Sequence, residues 1–286
     1  MKLSIITINY NNYKGLKKTF DSVFAQTYQE FEYIVIDGGS TDGSVELIQS
    51  NGHRLTYWVS EPDKGVYHAM NKGIDQAHGD YCIFMNSGDA FCDSTTIEQS
   101  IPYLDGTEIV IGKTIFFNSE NTCVPSQKNP VMSLSNITLN GFYTDCLNHQ
   151  SLFINVQLQK KYKYDESLKI VADLKFYIQT LIFDNCSYRM IDIPIAIYDT
   201  TGISSTNKDL MKKERYEVFS AMIPPLILQD YKYNNEEIDM RLYHSIKRSR
   251  FNSIIYTLLV VSFRIVAVFY RSARWIDRFS IFLSKG

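Results

Sequence analysis

Three carboxylates stand where short apolar runs of this 286-residue chain give way to turns: Asp37, Asp63 and Asp89. Asp37 precedes Gly38-Gly39-Ser40-Thr41-Asp42. A carboxylate there can accept from the imino N–H of a uracil or guanine, while the glycine turn lets the backbone approach a ribose. The other reading is that Asp37 or Ser40 caps the next helix. In Asp63-Lys64-Gly65 the lysine can offset diphosphate charge, or simply sit in a surface turn. Asp89 closes Asn86-Ser87-Gly88-Asp89 directly after the apolar pair Phe84-Met85. A hard cation such as Mg²⁺ or Mn²⁺ needs only one or two protein oxygens where phosphates supply the others. It would then neutralise charge on a departing nucleotide. A plain Asx turn is the alternative there.

The elements that must place these groups alternate between two periods. Leu3–Asn9, Phe31–Asp37, Leu55–Val59 and Asp80–Met85 read as strands, and Tyr13–Gln26, Asp42–Gln49 and Val66–Ala77 as helices. Such alternation implies right-handed crossovers and an α/β fold with a mainly parallel sheet flanked by helices. Ligands of these sheets bind off the carboxyl ends of the strands, where the three acids fall. Further on, Ile109–Phe117, Asn148–Ile154 and Tyr188–Tyr198 read as strands and Asp173–Phe183 as a helix. Asn118–Pro130 reads as a polar loop, and the chain turns helical from Asp209 onward. No G-x-G-x-x-G follows the first strand, and Gly112-Lys113-Thr114 lacks the leading glycine of a phosphate-binding loop, Thr107 standing in its place.

With 45% hydrophobic and 21% charged residues the chain is neither disordered nor fibrous. A net charge of −2 argues against nucleic acid as a partner, and five cysteines without a C-x-x-C pair fit a reducing cytosol. The charge is uneven. Residues 241–286 carry nine lysines and arginines against the single acid Asp277. Within them Arg250, Arg264, Arg271 and Arg278 share a seven-residue grid, a slowly winding basic stripe opposite Ile254, Leu258, Val261 and Ile265. The expectation is an amphipathic helix over about 247–280 lying on an anionic membrane surface. Packing on the rest of the chain or against a second subunit of a homo-oligomer is the alternative.

The order of these motifs resembles that of family 2 glycosyltransferases of bacterial capsule, O-antigen and exopolysaccharide synthesis. The resemblance rests on Asn9-Tyr10-Asn11, Ile36–Asp42, Asp63-Lys64-Gly65 with Ala69–Gly73, and Asn86-Ser87-Gly88-Asp89. It is dense over residues 3–92 and thinner to about 206, where His149-Gln150-Ser151, Ala172-Asp173-Leu174 and Gly202-Ile203-Ser204 are similar to later motifs of the family. It implies a GT-A catalytic domain over 1–207, with its donor half to about 92 and its acceptor half beyond. A helical, basic extension over 208–286 would follow. The implied reaction is an inverting transfer of sugar from a nucleotide-diphospho-sugar, most commonly a UDP-sugar, to a glycan or lipid-linked saccharide. Asp173 would be the base. Thr7, Asn9, Tyr10, Asp37, Gly39, Asp63, Lys64, Asn71, Asn86, Ser87, His149 and Ser204 would bind the donor, and Asp89 and His149 a Mn²⁺ or Mg²⁺ ion. Such an enzyme would be cytoplasmic, peripheral on the inner face of the plasma membrane. Two motifs depart from the family pattern: Asp89 is the only acid of its turn, and Ala172 fills a slot usually held by Glu. A sugar nucleotidyltransferase would need a glycine-rich basic loop at Asn9–Asn12, and a non-catalytic scaffold of a polysaccharide assembly would need no turnover at all.

Overall fold

The computed structural model describes residues 2–117, 123–125, 137–198 and 207–231. Its centre is β1 (Leu3–Asn9), buried at every position. A strand covered on both faces needs apolar residues throughout rather than alternation, which is what this run supplies. β1 pairs in parallel with β2 (Phe31–Asp37) and with β4 (Tyr81–Phe84), and β2 pairs in parallel with β3 (Tyr57–Ser60). Beyond β4 the direction reverses. β8 (Leu152–Asn155) runs antiparallel between β4 and β6 (Ile109–Phe117). Next to β6 lie β9 (Tyr188–Ile197), parallel to it, and the short antiparallel β7 (Cys123–Pro125), while β5 (Ala90–Phe91) closes on β9. The described strands form one mixed sheet in the order β3-β2-β1-β4-β8-β6-β9-β5.

Helices cover the parallel half. α1 (Tyr13–Phe24) buries Leu16, Phe20 and Val23, one helical stripe, and starts at Asn12, whose side chain accepts from the Gly15 N–H at 3.1 Å. α2 (Ser44–Ser50) follows β2, and α3 (Val66–Gln76) crosses β1 and β2. At that crossing the α3 backbone comes so near that a Cβ on Gly73 would collide with Ile6. Among the described residues, shorter elements complete the chain: α4 (Thr96–Ser100), α5 (Leu139–Thr144), α6 (Val156–Lys161) and α7 (Ala172–Tyr177), the last widening into a π-type turn over Ile178–Phe183.

One compact unit extends to Met222 and includes α8 (Lys208–Met222). Glu214 of α8 is buried, and its two oxygens accept the N–H groups of Lys169 and Ile170 at 2.8 and 2.9 Å. Arg215 reaches the carbonyls of Phe142 and Tyr143. A second unit begins at Ile223, and its described part contains a short helix at 225–231. The expected basic stripe at 247–280 and Ser204 lie outside the described residues. Among the described residues no helix is long and apolar enough to cross a membrane.

Gly73→Val should lower unfolding stability by about 1–3 kcal/mol through overpacking against β1. Denaturant titration checks this, and a midpoint unchanged from wild type would show that α3 has room to retreat.

Candidate active site

The site is built on the carboxyl ends of β1, β2, β3 and β4, and its floor is Asp37. This carboxylate is wholly buried. One oxygen accepts from Asn9 Nδ2 at 2.7 Å and Ser40 Oγ at 2.6 Å; the other accepts from the Gly39 and Ser40 N–H groups and from Ser60 Oγ at 2.6 Å. Burial opposes its charge, but the hydrogen bonds from Ser40, Ser60 and Asn9 outweigh burial and hold the carboxyl below the usual carboxylate range. Gly39 takes the left-handed backbone conformation, φ 81°, that this wrap requires.

Three residues expected to bind the donor are engaged within the protein. Asp37 accepts from its own turn and from β1 and β3, and α2 begins at Gly43 without a side-chain cap. Thr7 is buried between the Met85 carbonyl and the Tyr33 hydroxyl. Asn71 is bound by the Tyr164 backbone on both sides of its amide and by Glu166. All three support the site from beneath.

The unspent carboxylate at this edge is Asp63. Its Oδ1 binds Lys72 Nζ at 2.6 Å and His68 Nδ1 at 3.0 Å, while its buried Oδ2 has no hydrogen-bond partner. That oxygen and the ring of Tyr10 both lie beside Gly38, close to where its Cβ would stand, and Tyr10 is 68% exposed. An aromatic face, a backbone without a side chain and an orphaned acceptor thus meet in one place. Lys64 is exposed next to them.

The turn after β4 is pinned from α1. Asn12 Nδ2 reaches Ser87, Lys18 Nζ reaches the Gly88 carbonyl at 2.6 Å, and Thr19 Oγ1 reaches the Asn86 and Asp89 carbonyls. Asp89 is buried in this turn. Asn86 faces the acceptor half, where its Nδ2 lies 3.0 Å from His149 Nε2 and its buried Oδ1 is unpartnered. The other nitrogen of His149, Nδ1, stands 3.5 Å from Asp173 Oδ2.

Asp173 sits in the first turn of α7, whose cap residue is Val171, so the capping role open to Asp173 on sequence is not what it does. Its side chain is 15% exposed, and Oδ1 accepts from the Leu174 N–H at 2.8 Å and faces Tyr67 O–H at 3.2 Å. Burial first, then the Asp173 charge, pushes the Tyr67, Tyr164 and Cys146 protons well above their ordinary ranges. Tyr67 is a residue sequence reading passed over. Its spacing within α3 suits a core aromatic, and only the fold brings α7 to it.

No three His, Cys, Asp or Glu side chains among the described residues gather into a metal cage. The donor set nonetheless fits a divalent ion that takes most of its ligands from phosphate and water. The orphaned Asn86 Oδ1 and the carboxylate of Asp89 share one turn, and one or two oxygens suffice. His149 fits less well than expected, because Nε2 is engaged by Asn86 and Nδ1 faces a carboxylate.

The glycosyl transferase family 2 model matches residues 4–164, more than half of the chain. The chain belongs to glycosyltransferase family 2. It is 34% identical over 205 residues to an uncharacterized glycosyltransferase of Mycobacterium tuberculosis, covering 71% of this chain and 77% of the relative. A PGL/p-HBAD biosynthesis glycosyltransferase of Mycobacterium bovis is 31% identical over 221 residues, covering 73% and 82%. Among solved structures, Staphylococcus aureus TarS in complex with UDP-GlcNAc superposes with a TM-score of 0.61 at 21% identity, over 77% of this chain and 64% of that one. The mannosyltransferase PcManGT of Pyrobaculum calidifontis, in complex with GDP-Man and Mn²⁺, gives 0.57 at 14% identity over 96% and 82%. These likenesses establish the GT-A fold, and the family establishes a glycosyltransferase.

Acid should loosen this enzyme in a defined window. Asp165 is held down to about 2 by Lys175 and Ser167, and Asp37 also lies below its ordinary range. Folded values below the unfolded one mean stability that is complete above about pH 4 and lost as pH falls toward about 2. Lys175→Met should flatten part of that slope in thermal unfolding scans. An identical slope would exclude Asp165 as a contributor.

Proposed function

We propose that this glycosyltransferase moves a sugar from a UDP-sugar to a saccharide or glycolipid acceptor, with inversion, in bacterial surface-glycan synthesis. The observation that carries the reading is the meeting of Asn86, His149 and Asp173, which sets a carboxylate across from the turn that follows β4. Asp173 Oδ2 takes the proton of the acceptor hydroxyl as its oxygen bonds to the anomeric carbon and the sugar–phosphate bond breaks. The nucleoside diphosphate leaves. General-base help of this kind is worth about 10²–10⁴-fold. A divalent ion, Mn²⁺ or Mg²⁺, supplies charge neutralisation on the leaving diphosphate when bound. Asn86 Oδ1 and Asp89 would hold it. The base of the donor packs on Tyr10, and its imino N–H donates to Asp63 Oδ2, an arrangement that favours uracil or guanine over cytosine. The UDP-GlcNAc bound by TarS supports the donor class, and the PGL/p-HBAD biosynthesis named for the mycobacterial relatives supports a biosynthetic role.

Thermal-shift titration with UDP, GDP, dTDP and CDP, with and without Mn²⁺, tests the donor class. A ligand at a hundred times its Kd adds about 2.7 kcal/mol. UDP should stabilise and CDP should not. Asp63→Asn should weaken UDP binding by about 10–100-fold, the worth of a hydrogen bond to a charged acceptor. Asp173→Asn should keep UDP binding and cut turnover by about 10²-fold or more. Equal stabilisation by CDP and UDP would refute the role of Asp63, and wild-type turnover in Asp173→Asn would refute the base. The basic stripe at 247–280 supports attachment to anionic lipid, and flotation of the full chain with anionic liposomes, lost on truncation near Tyr243, is the expected result.

A further inference from the structure

We propose that His149 is a positioning residue for Asp173, locked in its Nδ1–H tautomer by Asn86, and not a metal ligand. The inference rests on the reading of Asp173 as the base. Its starting point is the ring itself. The imidazole lies edge-on to Phe84, with ring centroids 6.4 Å apart and planes at 89°, and is mostly buried, so it does not turn freely. One nitrogen faces an amide and the other a carboxylate. A neutral imidazole has one N–H and one lone pair. A lone pair aimed at Asp173 Oδ2 would repel its charge, so the proton belongs on Nδ1. Nε2 is then an acceptor, and the group presented to it, Asn86 Nδ2 at 3.0 Å, is a donor. The two neighbours select the same tautomer.

The consequence for Asp173 is orientation. Oδ1 is fixed by the Leu174 N–H and faces the Tyr67 hydroxyl, while Oδ2 is approached by the His149 N–H. Contacts on both oxygens limit rotation about χ2 and leave a defined lone pair of Oδ2 for the acceptor proton. The same chain leaves Asn86 Oδ1 without a hydrogen-bond partner, while its Nδ2 serves the imidazole.

Nitrogen-15 spectra of the full chain labelled at its five histidines test the tautomer without any donor. At about pH 8.5, above the ordinary imidazole range, the signal that disappears in His149→Gln should show a protonated Nδ1 and a bare Nε2. Asn86→Ala should shift that ring toward the Nε2–H form. An Nε2–H tautomer in wild type overturns the proposal. A second arm compares wild type and His149→Gln for UDP affinity with and without Mn²⁺. Positioning keeps the Mn²⁺ effect within about twofold while turnover falls about fivefold or more at unchanged donor KM, the pattern of an interaction made in the transition state. Loss of the Mn²⁺ effect makes His149 a metal ligand and overturns the proposal. If wild-type protein fails to bind UDP, the donor reading fails while the tautomer result still decides the role of His149.

Discussion

The parallel half of the sheet hangs on one buried negative charge. Asp37 ends β2 inside the protein, where an unpaired carboxylate would be costly to bury. Its stability there comes from five donors on three separate segments: Asn9 from β1, the Gly39–Ser40 turn, and Ser60 from β3. Those bonds do more than neutralise cost. They tie the carboxyl ends of three parallel strands at one point, and Gly38 next in the chain is buried close against Tyr10 and Asp63. Asp37 is thus fully engaged within the protein, while Asp63 beside it, paired with Lys72 and His68, keeps one oxygen unpartnered.

This division explains what was legible in the sequence. The parallel half was readable because each strand there is a continuous apolar run ending in a polar turn, and each helix carries a single apolar stripe. Strands β1, β2 and β4 and helices α1 and α3 follow their expected spans closely. The short elements β5, α4, α5 and α6 were not readable, because two to six residues carry too little periodicity to separate from loop. Around the site, residue type and position along a strand identified the right turns but not which acid in them was spent. Asp37 and Asp63 look equivalent as letters; burial and hydrogen bonding make one a buttress and leave the other with an unpartnered oxygen. Tyr67 and Glu214 were invisible for a different reason. Each acts on the segment before α7 across more than forty residues of sequence, a relation that only tertiary packing creates.

The acceptor half is arranged around a second carboxylate with the opposite design. Asp173 keeps partial exposure, accepts few bonds and stands among groups that hold on to their protons. Tyr67, Tyr164 and Tyr177 are buried beside it and Cys146 is half-buried, and desolvation together with its charge raises the proton affinity of each. The segment that leads into α7 is clamped by the Glu214 carboxylate from α8 and by Tyr67, which donates to the Ile170 carbonyl at 2.6 Å.

The turn after β4 and Asp173 meet at the place where the sheet changes direction. β4 ends the parallel half, β8 opens the antiparallel half, and the turns flanking them carry Asn86 and His149. Because β4 and β8 are adjacent and antiparallel, the end of one lies beside the start of the other, which brings residues sixty-three positions apart into contact. A fully parallel sheet would have put the start of β8 at the opposite edge, far from the donor turn. The reversal at β8 is thus what lets the turn after β4, built on strand ends, face Asp173 on α7 through His149.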